Sequence, residues 1–225
     1  MKKILILFIV AISLSLTAQD KPFQFGIKAG PNFGWFSASA DNYSNSGIHF
    51  GGSWGFIADF HIMENYSFVT GFDVLYLNGT LSYPDVYSDT IIGSNKRNYR
   101  TQYVKIPLLF TMKTNEINGM KFYGQVGFGF SILFAAKAKD DFTGDNGEYF
   151  VTPKHNIYDE MLPARESLIL GGGVEIPLQG STIIRIGITY DNAIANILRG
   201  YNRVDTSNKN NGRNNFIALD IGVLF

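Results

Sequence analysis

The chain has 225 residues, a formal net charge of zero and only 17% charged residues, while 15% are aromatic. That balance excludes the basic excess of a nucleic-acid surface, so no nucleic-acid partner is expected. Cysteine is absent, which excludes disulfides, thiolate catalysis and lipid attachment through an N-terminal cysteine.

Residues 1–18, MKKILILFIVAISLSLTA, read as a secretory signal peptide. Lys2 and Lys3 form the positive region, Ile4 to Leu16 the apolar stretch, and Ala18 the residue before the cut. The apolar core of about a dozen residues is shorter than the ~20 that a helical span needs. Residues 19–225 are expected to form one β-barrel domain. No later stretch carries enough consecutive apolar residues for a helical span, so membrane residence would have to come from strands.

The rest repeats one theme, an alternating segment followed by a connector. In 23–37, Phe25, Ile27, Phe33 and Trp35 take one parity and Gln24, Gly26, Lys28 and Asn32 the other. In 48–62, Phe50, Trp54, Phe56 and Phe60 oppose Gly51, Ser53, Asp59 and His61. Alternation with period two is the mark of a strand. Six further segments, 66–82, 99–113, 120–137, 166–178, 182–197 and 214–225, bring the expected strands to eight. In the last, Ile217, Leu219, Ile221, Val223 and Phe225 share one parity, which ties this segment into a sheet.

The connectors alternate too. Polar loops are expected at 38–47, 83–98, 138–165 and 198–213, and tight turns at MEN, TNEING and QGS. Long loops at one end and short turns at the other are what outer-membrane barrels show. An even strand count puts both ends of the sheet on the short-turn side, where the last strand pairs with the first.

Parity leaves open whether the apolar face points inward, as in a lipocalin-like barrel, or into lipid. The other face is rich in small residues, Gly51, Ser53, Gly55, Gly127, Gly129, Ser131, Gly171 and Gly173, which suit a crowded narrow lumen. The segments also reach the ~9–11 residues of a tilted membrane strand. The expected fold is therefore all-β, an eight-stranded antiparallel up-and-down transmembrane β-barrel in the outer membrane of a Gram-negative bacterium.

The few mid-strand charges take the lumen parity: Lys28, Asp59, Asp73, Lys105, Glu175, Arg185 and Asp220. Unpaired buried charges are costly, so a structural network is expected, with pairs at matching depth: Asp73 with Lys105, Glu175 with Arg185, and Asp220 with Lys28 across the closure.

QYVKIPLLFTMK, 102–113, resembles the Tyr-x-Glu-Ile-Pro-Leu-Leu segment of the PorT-like family of outer-membrane barrels. Tyr103, Ile106, Pro107, Leu108 and Leu109 match, and Lys105 stands where that family commonly has Glu. FGIKAGPNFG and GGGVEIPL are similar to its first and a later strand. The resemblance implies a barrel and, through the founding member, an association with protein secretion across the outer membrane. Pro107 lacks a backbone donor, so an irregular ladder is expected there.

Nothing in the sequence specifies catalysis. Neither His49 beside Ser53 nor His61 beside Asp59 makes a convincing nucleophilic constellation, and His155 lies in a loop. The histidines are too dispersed for a metal site. Asp140, Asp141, Asp145 and Glu148 match no calcium-loop spacing and read as a solvated loop. No cofactor is expected. The expected function is non-enzymatic: a structural, assembly or secretion-associated barrel, with a narrow solute or ion pore as alternative and a lipid-modifying enzyme at the rim behind it. Expected partners are outer-membrane lipid, the barrel-assembly machinery through the last strand, and secretion-system or surface partners at 138–165 and 199–213.

Overall fold

A computed structural model describes residues 22–39, 42–178 and 180–225; the expected signal peptide at 1–18 lies outside the described residues, as does Gln179 of the expected QGS turn. The strands in chain order are β1 (Phe23–Ser37), β2 (Ser44–Asn45), β3 (His49–Met63), β4 (Tyr66–Tyr87), β5 (Ile91–Lys113), β6 (Lys121–Gly144), β7 (Tyr149–Asn156), β8 (Ala164–Pro177), β9 (Ile183–Ala193) and β10 (Arg213–Leu224). Eight of them, β1, β3, β4, β5, β6, β8, β9 and β10, form a closed antiparallel ring. The short strands β2 and β7 add to β4 and β6 on the long-loop side.

Closure joins the two ends of the sheet. Gly26 faces Leu224 across β1 and β10, and the Phe225 backbone N–H donates to the Phe25 carbonyl at 2.8 Å. With every strand paired on both sides, the ladder satisfies its own backbone groups, as a bilayer requires.

Each strand sorts its side chains by parity. Phe25, Ile27, Trp54, Phe56, Ile106, Phe110, Phe128, Phe130, Ile188 and Ile221 are exposed on the outside. Inside lie buried Asn32, Asp59, Asp73, Lys105, Ser131, Glu175 and Arg185. The apolar surface therefore meets lipid, and the polar set fills the lumen.

The segments expected to be loops at 83–98 and 138–165 are largely strand. The β4–β5 ribbon continues to the pair Tyr87–Ile91 and turns through Ser88 and Asp89, whose φ values are 50° and 59°, as a tight hairpin demands. β6 runs on to Gly144 with β7 folded back against it. Aromatic stacking holds this extension: the rings of Tyr87 and Phe150 lie 4.2 Å apart, and Phe142 lies 5.6 Å from Tyr87. Polar composition misleads here, because the extension stands above lipid and its outward residues face water.

Pro107 produces the expected irregularity in a specific form. β4–β5 pairing lapses between Val69–Leu109 and Asp73–Lys105 without a change of register. Gly71 lies in this gap with φ at +145°, backbone that favours glycine. The register shift of β5 against β6 occurs elsewhere, at Gln102/Tyr103.

The lumen contains an apolar layer absent from the strand pattern. Ile157, Met161, Ile197 and Leu198, from the segments between β7 and β8 and between β9 and β10, pack against Phe36, Leu77, Leu81, Tyr99 and Phe216. These connectors fold inward and cap the barrel at its long-loop end.

Candidate functional site

The lumen below the cap is filled by two layers of ion pairs. Nearest the short turns, Lys113 Nζ lies 2.8 Å from Asp59 and 3.0 Å from Glu175. The Arg185 guanidinium reaches the same two carboxylates at 3.5 and 3.6 Å. It also donates to Gln125 Oε1 at 3.0 Å and stacks 4.0 Å from the centroid of the Tyr123 ring. Two cations thus face two carboxylates.

The second layer is a chain. Lys28 meets Asp73 at 3.1 Å, Asp73 meets Lys105 at 3.5 Å, Lys105 meets Asp191 at 3.3 Å, and Asp191 meets Arg165 at 2.6 Å. Arg165 also donates to the side chain and backbone of Asn214 at 2.7 and 2.8 Å. Phe216 lies between the layer and the cap, 5.1 Å from Lys105 Nζ. Asp220 stands beside this layer and accepts from Thr189 at 2.7 Å. Formal charge balances here too: Lys28, Lys105 and Arg165 against Asp73, Asp191 and Asp220. Alternating neutral networks of this kind offset the desolvation that each isolated charge would suffer.

Small residues make the space. A Cβ on Gly187 would sit 2.0 Å from Tyr123 Oη, and one on Gly55 would sit 2.7 Å from Asp73 Oδ1.

All seven lumen charges read from the sequence line this interior. Asp73 and Lys105 are ladder partners, as are Glu175 and Arg185. Lys28 and Asp220 are not paired: the register sets Lys28 opposite Gly222, and its Nζ crosses β3 to reach Asp73. Depth counted along single strands does not include this stagger. Lys113, Arg165 and Asp191 complete the network without having been expected. Asp191 shares the parity of Arg185 within the expected strand 182–197, so the alternation could have found it. Lys113 likewise shares the parity of Lys105 at the end of the expected strand 99–113, whereas Arg165 lies just outside the expected strand 166–178, in a stretch read as loop. In the family-like segment, Tyr103 and Lys105 point inward and Ile106 and Leu108 outward, with Pro107 inside the pairing gap.

Above the cap, Arg97 pairs with Asp140 and Glu160, and His155 Nε2 lies 3.6 Å from Asp140. Asp141 turns to the other face of β6, where Lys139 donates to it at 2.9 Å. Asp140 and Asp141 therefore lie on opposite faces of β6, while Asp145 and Glu148 lie in the turn that follows it. Tyr43 donates to Asn210 at 2.8 Å and accepts from Asn202 at 3.0 Å, and burial pushes its phenol pKa up. His49 is held by Thr80 at 2.6 Å.

Little open space remains. A cavity of about 30 Å³ lies among Lys28, Pro107, Tyr123, Arg185 and Asp220. At the short-turn end a vestibule of about 660 Å³ reaches as deep as Lys113 and Glu175.

A closed eight-stranded ring with an apolar exterior and a charged interior is an integral membrane β-barrel. The chain belongs to the outer membrane protein beta-barrel domain family, whose model matches residues 17–199. It is accordingly a protein of the Gram-negative outer membrane. A search of curated proteins finds no significant match. Similar solved structures include the outer membrane protein OprG from Pseudomonas aeruginosa, at 8% identity over 90% of this chain and 95% of that one, with a TM-score of 0.47. Neisserial surface protein A is similar at 14% identity over 89% of this chain and 95% of that one, TM-score 0.45. Ail, the attachment invasion locus protein of Yersinia pestis, is similar at 12% identity over 90% and 98%, TM-score 0.39.

Proposed function

We propose that this barrel is a PorT-like, non-enzymatic component of the outer membrane, serving as a structural, assembly or protein-secretion-associated scaffold. One observation carries the reading. The lumen is obstructed twice over, by the ion-pair chain from Lys28 to Arg165 and by the apolar cap containing Ile157, Met161, Ile197 and Leu198. A scaffold needs rigidity and two presentable ends, and this interior provides the first. The engagement of His49 by Thr80 and of Arg97 by acidic neighbours gives these groups structural partners. The partners proposed are outer-membrane lipid, the barrel-assembly machinery acting on β10, and secretion-system or surface components at the long-loop end.

Planar-bilayer recording tests the reading. The native barrel should give no steady conductance step, whereas a variant of the cap and ion-pair layer combining Ile197→Gly, Leu198→Gly and Arg165→Ala should conduct. A steady open state in the native protein would support the second reading, a narrow pore. The deep vestibule ending at Lys113 and Glu175 favours that alternative.

A further inference from the structure

The outer face of β5 and β6 changes character abruptly. Outward residues nearer the short turns are apolar and exposed: Val104, Ile106, Leu108 and Phe110 on β5, and Phe130, Ile132 and Phe134 on β6. Beyond that level, toward the long loops, the outward residues are Lys96, Asn98 and Arg100 on β5 and Lys137 and Lys139 on β6.

A bulge creates the basic surface. Gln102 faces Ala135 and Tyr103 faces Leu133, so Phe134 is an extra residue on β6. The outward set of β6 thereby switches from even to odd numbers. Phe134 is left 75% exposed, and Lys137 and Lys139 are turned to the outside. In an unbulged strand both lysines would enter the apolar cap region.

The same bulge places Arg100 directly opposite Lys137 in the ladder. Like charges at directly opposed positions are destabilising. Among the described residues no carboxylate pairs with Arg100, Lys137 or Lys154. The nearest acid across the ladder, Asp141 opposite Lys96, is engaged by Lys139 at 2.9 Å and Tyr149 at 3.0 Å. A groove of about 430 Å³ on this face is lined by Arg100, Lys139, Lys154, Asn98 and the exposed ring of Phe50.

Three features converge on one ligand chemistry. The groove is at the long-loop end, the extracellular side of an outer-membrane barrel. Its floor is continuous with the lipid-facing apolar band. Arg100, Lys137 and Lys154 have no carboxylate partner among the described residues, while Lys139 is held by Asp141, and a phosphate supplies negative charge with several acceptor oxygens that an Arg fork can take in parallel. We propose that this groove binds the phosphate-bearing headgroup of an outer-leaflet glycolipid. Arg100 and Lys137 share the phosphate, Lys139 and Lys154 flank it, and Phe50 and Phe134 meet the adjoining acyl chains.

The test uses the full barrel in nanodiscs of neutral phospholipid doped with a phosphorylated glycolipid or with the same glycolipid after phosphatase treatment. Two quantities are read: the temperature at which the compact unboiled band is lost, and the glycolipid retained through purification. Only the phosphorylated form should raise the transition and be retained. Replacing two cations by Arg100→Gln with Lys137→Gln should weaken retention about thirtyfold. In plain detergent the same variant should be at least as stable as the native barrel, because the opposed charges are gone. Equal effects of both glycolipids, or undiminished retention by the variant, would overturn the proposal. So would equal stabilisation by inorganic phosphate alone, which would assign the groove to a soluble anion. If the double variant fails to fold, the two glycolipids on the native barrel still decide the question, and Lys137→Arg, which keeps the charge and leaves the Arg100 fork intact, should preserve binding.

Discussion

Arg165 and Asp191 form an ion pair 2.6 Å long in which both side chains are wholly buried. Arg165 is the second residue of β8 and Asp191 lies near the end of β9, so the pair locks neighbouring strands just beneath the cap. Asp191→Ala would leave Arg165 without its carboxylate and Lys105 with Asp73 alone. Breaking one side of a buried pair costs about 3–5 kcal/mol. Urea unfolding from lipid vesicles, followed by the fluorescence of Trp35 and Trp54, should show that loss. The double replacement Arg165→Met with Asp191→Leu should cost clearly less, since no uncompensated charge remains.

Gly187 and Tyr123 provide a steric test of the lower layer. A side chain at 187 must displace the Tyr123 hydroxyl, which would sit 2.0 Å from its Cβ, and so disturb the ring on which Arg185 stacks. Overpacking of this kind costs about 1–3 kcal/mol, and Gly187→Val should show it in the same unfolding measurement. Adding Tyr123→Phe, which removes the clashing oxygen, should recover part of the loss.

Ile221 and Gly222 are neighbours on β10 that face opposite media. Ile221 is exposed to lipid, and Gly222 is buried against the Lys28 stem. Ile221→Arg should cost about 2 kcal/mol, the lower end of the depth-dependent range, because it lies close to the strand end at Leu224. Gly222→Arg should act by crowding Lys28. Unfolding in vesicles of increasing acyl-chain length separates the two, since thickness should alter the cost at 221 far more than at 222. An unchanged stability for Ile221→Arg would contradict the face assignment.

Gly71 stands where Pro107 interrupts the β4–β5 ladder. Its φ of +145° is strained for any L side chain, and a Cβ would approach the Phe56 carbonyl oxygen to 2.0 Å. Gly71→Ala should therefore cost about 1–3 kcal/mol. The loss should appear as a lower temperature for conversion of the compact gel band to the unfolded form.

Much of this molecule was legible along the chain. Ile217, Leu219 and Ile221 announce a lipid face and Gly127, Gly129 and Ser131 a crowded interior, because in a strand each side chain's face follows from its parity. Connector lengths then set the two ends, and the even strand count required closure of β1 on β10. The seven lumen charges were legible for the same reason, as polar residues at the inward parity.

Their partners were not. Lys28 reaches Asp73 instead of Asp220, and Asp59 binds Lys113 and Arg185, because the stagger between strands and the reach across the lumen are properties of the closed ring. The cap was hidden because Ile157 and Met161 are isolated apolar residues within a polar stretch and Ile197 falls in an expected strand that in fact stops at Ala193, and only the folded barrel supplies the surface that buries them. The basic outer face depended on one extra residue at Phe134, which reverses inside and outside for everything beyond it. By itself the sequence determined the two faces, a local consequence of a period of two, and, through the small residues on one face and the lengths of strands and connectors, the membrane setting and the eight strands of the ring. Tertiary structure alone decided which charges meet, what seals the lumen and where the outer face turns basic, since each depends on register between segments distant in the chain.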